Sequence, residues 1–211
     1  MSGSTRDRLL DAAEELFAER GFDGTSIRAV TRRAGANPAS VHYHFGGKEE
    51  LLRAVFDRIL TPVTRERLAL LEAAEAGAPD GRPDVEAVLR AFIAPDLELI
   101  RTGGRRGRLV ARFLGRAHTE PAAVVQRLIR RQFGEVGRRF ERALGRSLPR
   151  VPPEEIRRRL HWVVSILTGL LALPPEDPRA ADLERPELLT RRLVAFAAAG
   201  MGTPAIIAVA D

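Results

Sequence analysis

The segment Pro38–Phe45 (PASVHYHF) concentrates small and hydrogen-bonding side chains on a stretch about two helical turns long. Val41 and Phe45 stand four apart, the spacing of one buried helix face. They leave Ala39, Ser40, His42, Tyr43 and His44 around the rest of the circumference. Such a surface suits base-pair edges: an alanine methyl can touch a thymine methyl, and hydroxyl and imidazole groups can bond base edges or phosphates. Upstream, Thr25 and Ser26 stand where another short helix begins, and the backbone N–H groups of a helix start favour a phosphate. Arg28 and Arg32 share one face of that helix, and Lys48 opens the next one, where it can neutralise a phosphate from the other side.

Other chemistries find little support. The chain has no cysteine, which excludes disulfides, Cys-ligated zinc, iron–sulfur clusters and thiol catalysis. There is no G-x-S-x-G elbow. His42 and His44 are two apart and point to different helix faces, so they make no metal pair, and no spaced His/Asp/Glu set accompanies His118 or His161. The run Gly103-Gly104-Arg105-Arg106-Gly107 lacks the Lys-Ser/Thr of a phosphate loop and a preceding strand. No enzyme activity, metal or cofactor is expected.

The elements that must hold these groups read as helices throughout. Ser4 caps a helix whose apolar residues Leu9, Leu10, Ala13, Leu16 and Phe17 recur at helical spacing, and Gly21 stops it. Thr25 is a fitting N-cap for a short helix that ends at Ala34 before Gly35. Asn37-Pro38 starts the next, with Asn as cap and Pro at the first helical position. Two short helices joined by a Gly-containing turn form the helix-turn-helix pattern, whose second helix enters the major groove. A long helix follows over 48–76, bent at Pro62. After a loop at 77–84 come helices at about 84–101, 105–117, 121–145, 154–173 and 186–200. The expected fold is all-α, with about nine helices. Residues 1–47 form the helix-turn-helix domain, 48–76 a connecting helix, and 77–211 a second helical domain.

Length and charge set bounds. At 211 residues the chain can bury a sizeable core without metal or disulfide staples. The net charge is +6, and of 34 basic residues only Lys48 is lysine. Residues 1–60 carry nine basic and nine acidic residues, so the excess lies beyond them. A basic chain suggests an anionic partner, but the net charge does not locate its surface. Acidic residues between Asp7 and Glu19 sit on the first helix, so a segregated field hides behind the zero sum. The uncharged apolar run at 162–175 is shorter than a bilayer span, and the N-terminus mixes charges with apolar residues unlike a signal peptide. The cytoplasm is the expected compartment.

Residues 9–56, LLDAAEELFAERGFDGTSIRAVTRRAGANPASVHYHFGGKEELLRAVF, resemble the TetR/AcrR family of transcriptional regulators. The resemblance rests on the AA-LF-GF string of the first helix, the Thr25-Ser26 start and Ala34-Gly35. It continues through Tyr43-His44-Phe45 and Lys48-Glu49-Glu50-Leu51, about a quarter of the chain. It implies a homodimer that binds a near-palindromic operator, usually as a repressor, and is released by a small molecule. Carried over by position, phosphate contacts fall to Thr25, Ser26, Tyr43, His44 and Lys48, and base contacts to Arg28, Asn37, Ala39 and Ser40. His42 stands where the family most often has Tyr, and Gly47 replaces a common Ser cap. The string 36–46 and Arg53–Arg58 with Pro62 look like a branch that includes fatty-acid-responsive regulators.

In the second half, the helix at 154–173 is apolar nearly all round, which asks for burial on two sides. With the last helix it forms the expected dimer interface: Val164, Leu167, Leu171, Leu189, Leu193 and Phe196. Phe92, Phe113, His118, Phe133, His161 and Trp162 are the candidate lining of an effector pocket. Arg stripes at 105–116 and 127–142 fit an anion site or a solvated face. Three alternatives stand beside the repressor reading: an activator, a non-specific DNA binder, and an α-helical lipid carrier or enzyme with a three-helix head.

Overall fold

A computed structural model of the chain describes residues 4–174 and 176–204. Among them every regular element is helical: α1 (Thr5–Arg20), α2 (Ile27–Ala34), α3 (Ala39–Phe45), α4 (Lys48–Ala76) and α5 (Val85–Thr102). Then follow α6 (Gly104–Thr119), α7 (Ala123–Ser147), α8 (Pro153–Leu171), a 3-10 helix (Pro178–Glu184) and α9 (Pro186–Gly202). The 3-10 helix was not expected, so the helical segments exceed nine. Asp177 caps it by accepting from the Arg179 amide, and Pro178 takes its first position. The apolar tail 201–211 has no placement expected from the sequence; its start belongs to α9, and residues 205–211 lie outside the described residues.

Local signals explain most boundaries. The Ser4 and Asp84 side chains accept bonds from Asp7 N and Ala87 N, opening α1 and α5. α2 is capped by Ser26, whose Oγ accepts from Ala29 N at 3.1 Å, and not by Thr25 as expected. Gly35 ends α2 in the left-handed region at φ 59°, which costs other residues strain, and the chain turns into α3. α4 and α5 run unbroken through Pro62 and Pro95. A proline there removes one backbone bond of the helix.

α5 is the axis of the larger part, with α4, α6, α7 and α9 packed around it. α1 packs on α2, α4 and α6, so the small N-terminal unit rests on the body through α6 as well as through α4. One apolar core runs from Leu9 in α1 to Met201 in α9. At Gly115 a Cβ would lie 2.5 Å from the Ala172 backbone, so only glycine lets α6 approach the end of α8 this closely. Buried Arg159 of α8 pairs with Glu155 at 2.8 Å and donates to the carbonyls of Gly200, Met201 and Thr203. A cation thus satisfies the last turn of α9 and locks that helix onto α8.

Candidate nucleic-acid interface and effector cavity

The helix-turn-helix geometry is built from the sequence signals named above. Val41 is fully buried and anchors α3, while Ala39, His42 and Tyr43 face solvent and Ser40 and His44 are half-buried. Tyr43 is 86% exposed, a large aromatic with no protein surface to cover it. Its ring meets His44 edge-on at 4.9 Å. The Asn37 carboxamide oxygen accepts from Ala39 N, and the residue stays exposed beside the helix start. His42 Nδ1 lies 3.2 Å from the Gly46 carbonyl. A carbonyl only accepts, so Nδ1 is the donor in this contact. Arg28 and Arg32 are exposed on α2, whereas Arg33 is turned back onto Glu15 at 2.6 Å.

One residue differs from expectation here. Thr25 is 1% exposed, and its hydroxyl donates toward the carbonyls of Leu16 and Gly21. It staples α1 to the start of α2, and its side chain cannot reach a phosphate. Lys48 places its ammonium 4.1 Å over the Phe22 ring. Burial pushes the Lys48 amine below its ordinary value, and Asp23 and Glu120 pull it back. The amine stands half-buried at the edge of the reading unit.

A cavity of about 450 Å³ opens between α4, α5, α6, α7 and α8. Phe56, Phe92, Leu114, Leu160, Leu167 and Leu171 give it apolar walls, and Gly134 and Gly137 leave its α7 side open. Of the expected lining, Phe92, His118 and His161 are there. Phe113 is not: it is buried beside the cavity and packs edge-on against Phe56 at 4.8 Å. Trp162 is not either, being 53% exposed on the outer face of α8. The Phe133 side chain lies outside the described residues. Among the described residues no group of three or more His, Asp or Glu stands where it could hold a metal ion.

Comparison with known proteins fits both halves. The family model described as tetR-family bacterial regulatory proteins matches residues 9–55, and the tetracyclin repressor-like C-terminal domain matches residues 90–200. The chain belongs to the TetR family. The HTH-type transcriptional repressor Rv3405c of Mycobacterium tuberculosis is 47% identical over 57 residues, 27% of this chain and 30% of that protein. UidR of Escherichia coli is 39% identical over 51 residues, 24% of this chain and 26% of that protein. The chain therefore matches less than a third of the length of these curated relatives. Among solved structures, the fatty acid degradation regulator FadR from Bacillus halodurans superposes with TM-score 0.69 at 15% identity. It covers 94% of this chain and 96% of its own. The SmeT–triclosan complex superposes with TM-score 0.64 at 24% identity, over 97% of each chain. These likenesses establish the fold. Members of the TetR family are DNA-binding regulators of transcription and not enzymes.

In this TetR-family chain the head and body are joined by an ion cluster that the sequence pattern did not single out. Glu14 of α1 is 1% exposed, and it accepts from Arg58 of α4 and from Arg106 Nε of α6 at 3.1 Å. A second buried pair, Arg67 of α4 with Asp96 of α5, lines the cavity. Burial pushes the Asp96 carboxyl up, and the Arg67 guanidinium pulls it back down. All three helices carry a legible signal. Arg67 interrupts the apolar row Ile59-Val63-Leu71, Asp96 the row Phe92-Ile100, and Glu14 the row Leu10-Ala18. A lone charge in an i, i+4 apolar row needs a buried partner of opposite sign.

The expected dimer residues divide. Leu167, Leu171 and Leu189 are buried in the chain's own core, and half-buried Val164 faces the cavity, so none of the four is an outward contact. Phe196 is 67% exposed, and Leu193 is half-buried near it. The uncovered large apolar residues of α8 and α9 are instead Trp162, Ile166 and Phe196. Periodicity marks the α8 segment as apolar nearly all round and leaves open which stripe faces inward. Three neighbours compete for α8: the core, the cavity and the outside.

Proposed function

We propose that the chain is a one-component, ligand-responsive regulator of transcription. It binds a near-palindromic DNA operator as a homodimer, represses from it, and is released by a small apolar effector. A fatty-acyl compound is one candidate. Residues 1–47 read DNA, 48–76 connect, and 77–211 bind effector and dimerise through Trp162, Ile166 and Phe196. One observation carries this reading. A solvent-facing helix of base-reading side chains and a 450 Å³ apolar cavity share two helices, α4 and α6.

α4 starts at Lys48 beside the reading unit and reaches the cavity at Phe56 and Arg67. α6 lends the cavity Leu114, Ala117 and His118 and holds α1 through Arg106. Pro62 lies between the two cavity contacts of α4 and lacks the amide that would bond residue 58, which makes it the pivot. Effector acts by binding the splayed dimer more tightly than the DNA-bound one. The two reading helices then leave the roughly 34–36 Å spacing of successive major grooves.

The test is selection of bound duplexes from a random pool at about 150 mM salt, where sequence-independent phosphate binding is weakened. A palindromic motif that disappears in the Arg28→Ala/Ser40→Ala protein supports the reading. A featureless pool would sink it. A Pro62→Ala protein that releases operator as wild type does would remove the pivot while leaving the regulator reading intact.

A further inference from the structure

The polar groups of the cavity are unevenly matched. Both of its carboxylates already have a cation: Asp96 is paired with Arg67, and Glu141 with Arg157 at 3.4 Å. The donors are not used up in the same way. The imidazoles of His118 on α6 and His161 on α8 lie 6.3 Å apart, centroid to centroid, and neither ring has a hydrogen-bond partner among the described residues. Arg130 of α7, at the same cavity, has no acidic partner among them either.

The unmatched donors are also less buried than the apolar lining. His161 and Arg130 are exposed and His118 is half-buried, so they mark the open end. Phe56, Phe92, Leu167 and Leu171 are buried and line the depth. The lining thus has spare donors at its mouth, no unpaired anion, and an apolar interior.

We infer that the cavity takes a carboxylic acid with an apolar body, its carboxylate between His118 and His161 and its chain directed inward past Phe92. This rests on the effector-cavity reading above and adds to it the chemistry of the head group. A cationic amphiphile finds no free carboxylate, and a neutral alcohol can use the same space but gains no charge-assisted bond. Burial, and then the neighbouring His161, hold the His118 pKa below its ordinary value, so the apo ring is neutral near pH 7. The charged groups facing it are His161 and the Glu141–Arg157 pair, Arg130 of α7, and the Arg67–Asp96 pair of α4 and α5. A carboxylate arriving beside the ring favours its protonated form, so binding takes up a proton and tightens as pH falls from 8 to 6.

Calorimetry on the full-length protein decides this with three ten-carbon probes: decanoate, decanol and decyltrimethylammonium. Decanoate should bind at least about tenfold more tightly than decanol, the scale of one hydrogen bond to a charged group. The ammonium probe should not bind measurably. The His118→Leu/His161→Leu protein should lose the decanoate preference and keep its decanol affinity. Decanoate heats should vary with buffer ionisation enthalpy, as proton uptake requires. Equal binding of decanoate and decanol, or tighter binding of the ammonium, would overturn the carboxylate inference and leave the effector cavity standing. Binding of none of the three would overturn both. Should the double variant not fold, the probe series on the wild-type chain decides alone.

Discussion

Replacing Glu14 by glutamine keeps the shape of a buried side chain and removes its charge. In the wild-type chain this carboxylate receives Arg58 Nη2 of α4, and Arg106 Nε and Nη2 of α6 at 3.1 and 3.3 Å. The partners differ in what they lose. Arg58 is 23% exposed and keeps Asp11 at 2.7 Å, whereas Arg106 is 57% exposed and can turn to water. Breaking a fully buried pair costs about 3–5 kcal/mol, and an exposed pair is worth about 0–1 kcal/mol. With one guanidinium still paired and the other half-solvated, the expected loss is about 2 kcal/mol. In a chain of 211 residues that lowers the melting midpoint by about 4–8 °C. Urea unfolding followed by circular dichroism measures the loss. A double-mutant cycle with Arg106→Gln isolates the α1–α6 bond, with an expected coupling of about 0.5–1 kcal/mol. A Glu14→Gln protein within about 0.5 kcal/mol of wild type, together with a cycle that closes to zero, would refute the view that this cluster fastens the reading unit to the body.

Thr25→Val should destabilise the chain by about 1–3 kcal/mol in urea unfolding, because two carbonyls lose the buried hydroxyl, while operator affinity of the folded protein stays near wild type. A large loss of affinity at unchanged stability would restore a phosphate role for it. Trp162→Glu/Phe196→Glu should convert the proposed dimer to monomer in light scattering and abolish high-affinity operator binding. An unchanged dimer would move the interface elsewhere. The pH dependence of stability follows from His118, whose folded pKa lies below the ordinary 6.5. The unfolded chain takes up this proton first, so the contribution is present above about pH 6.5 and is lost as pH falls below it. Thermal melts from pH 8 to 5 should show that slope in wild type and a shallower one in His118→Gln.

Much of the reading unit was legible in the sequence because its determinants are local. Ser4, Gly35 and Asn37 act on backbone groups within four residues, and Val41 with Phe45 defines a face on a helix too short to hide another. The exposed set Asn37, Ala39, His42 and Tyr43 is where spacing put it. Thr25 failed for a physical reason: threonine and serine can both cap, and only the path of α1 decides which hydroxyl meets the Leu16 carbonyl. The cavity was half legible. His118 and His161 are polar residues beside apolar faces and so draw notice, but Phe113 and Trp162 are apolar residues among other apolar residues. Nothing in their spacing says whether they face core, cavity or solvent.

Short-range chemistry therefore settled the class of the protein. It determined an all-helical chain, the helix-turn-helix with its outward side chains, the family resemblance over residues 9–56, and the absence of cysteine chemistry. Tertiary structure alone decided what depends on contacts far apart in sequence. Glu14 meets Arg106 across 92 positions, and Arg67 meets Asp96 across 29. A cavity exists only where five helices fail to close on one another. Helical periodicity fixes which residues share a face, but the partner of that face is chosen by the packing of the whole chain.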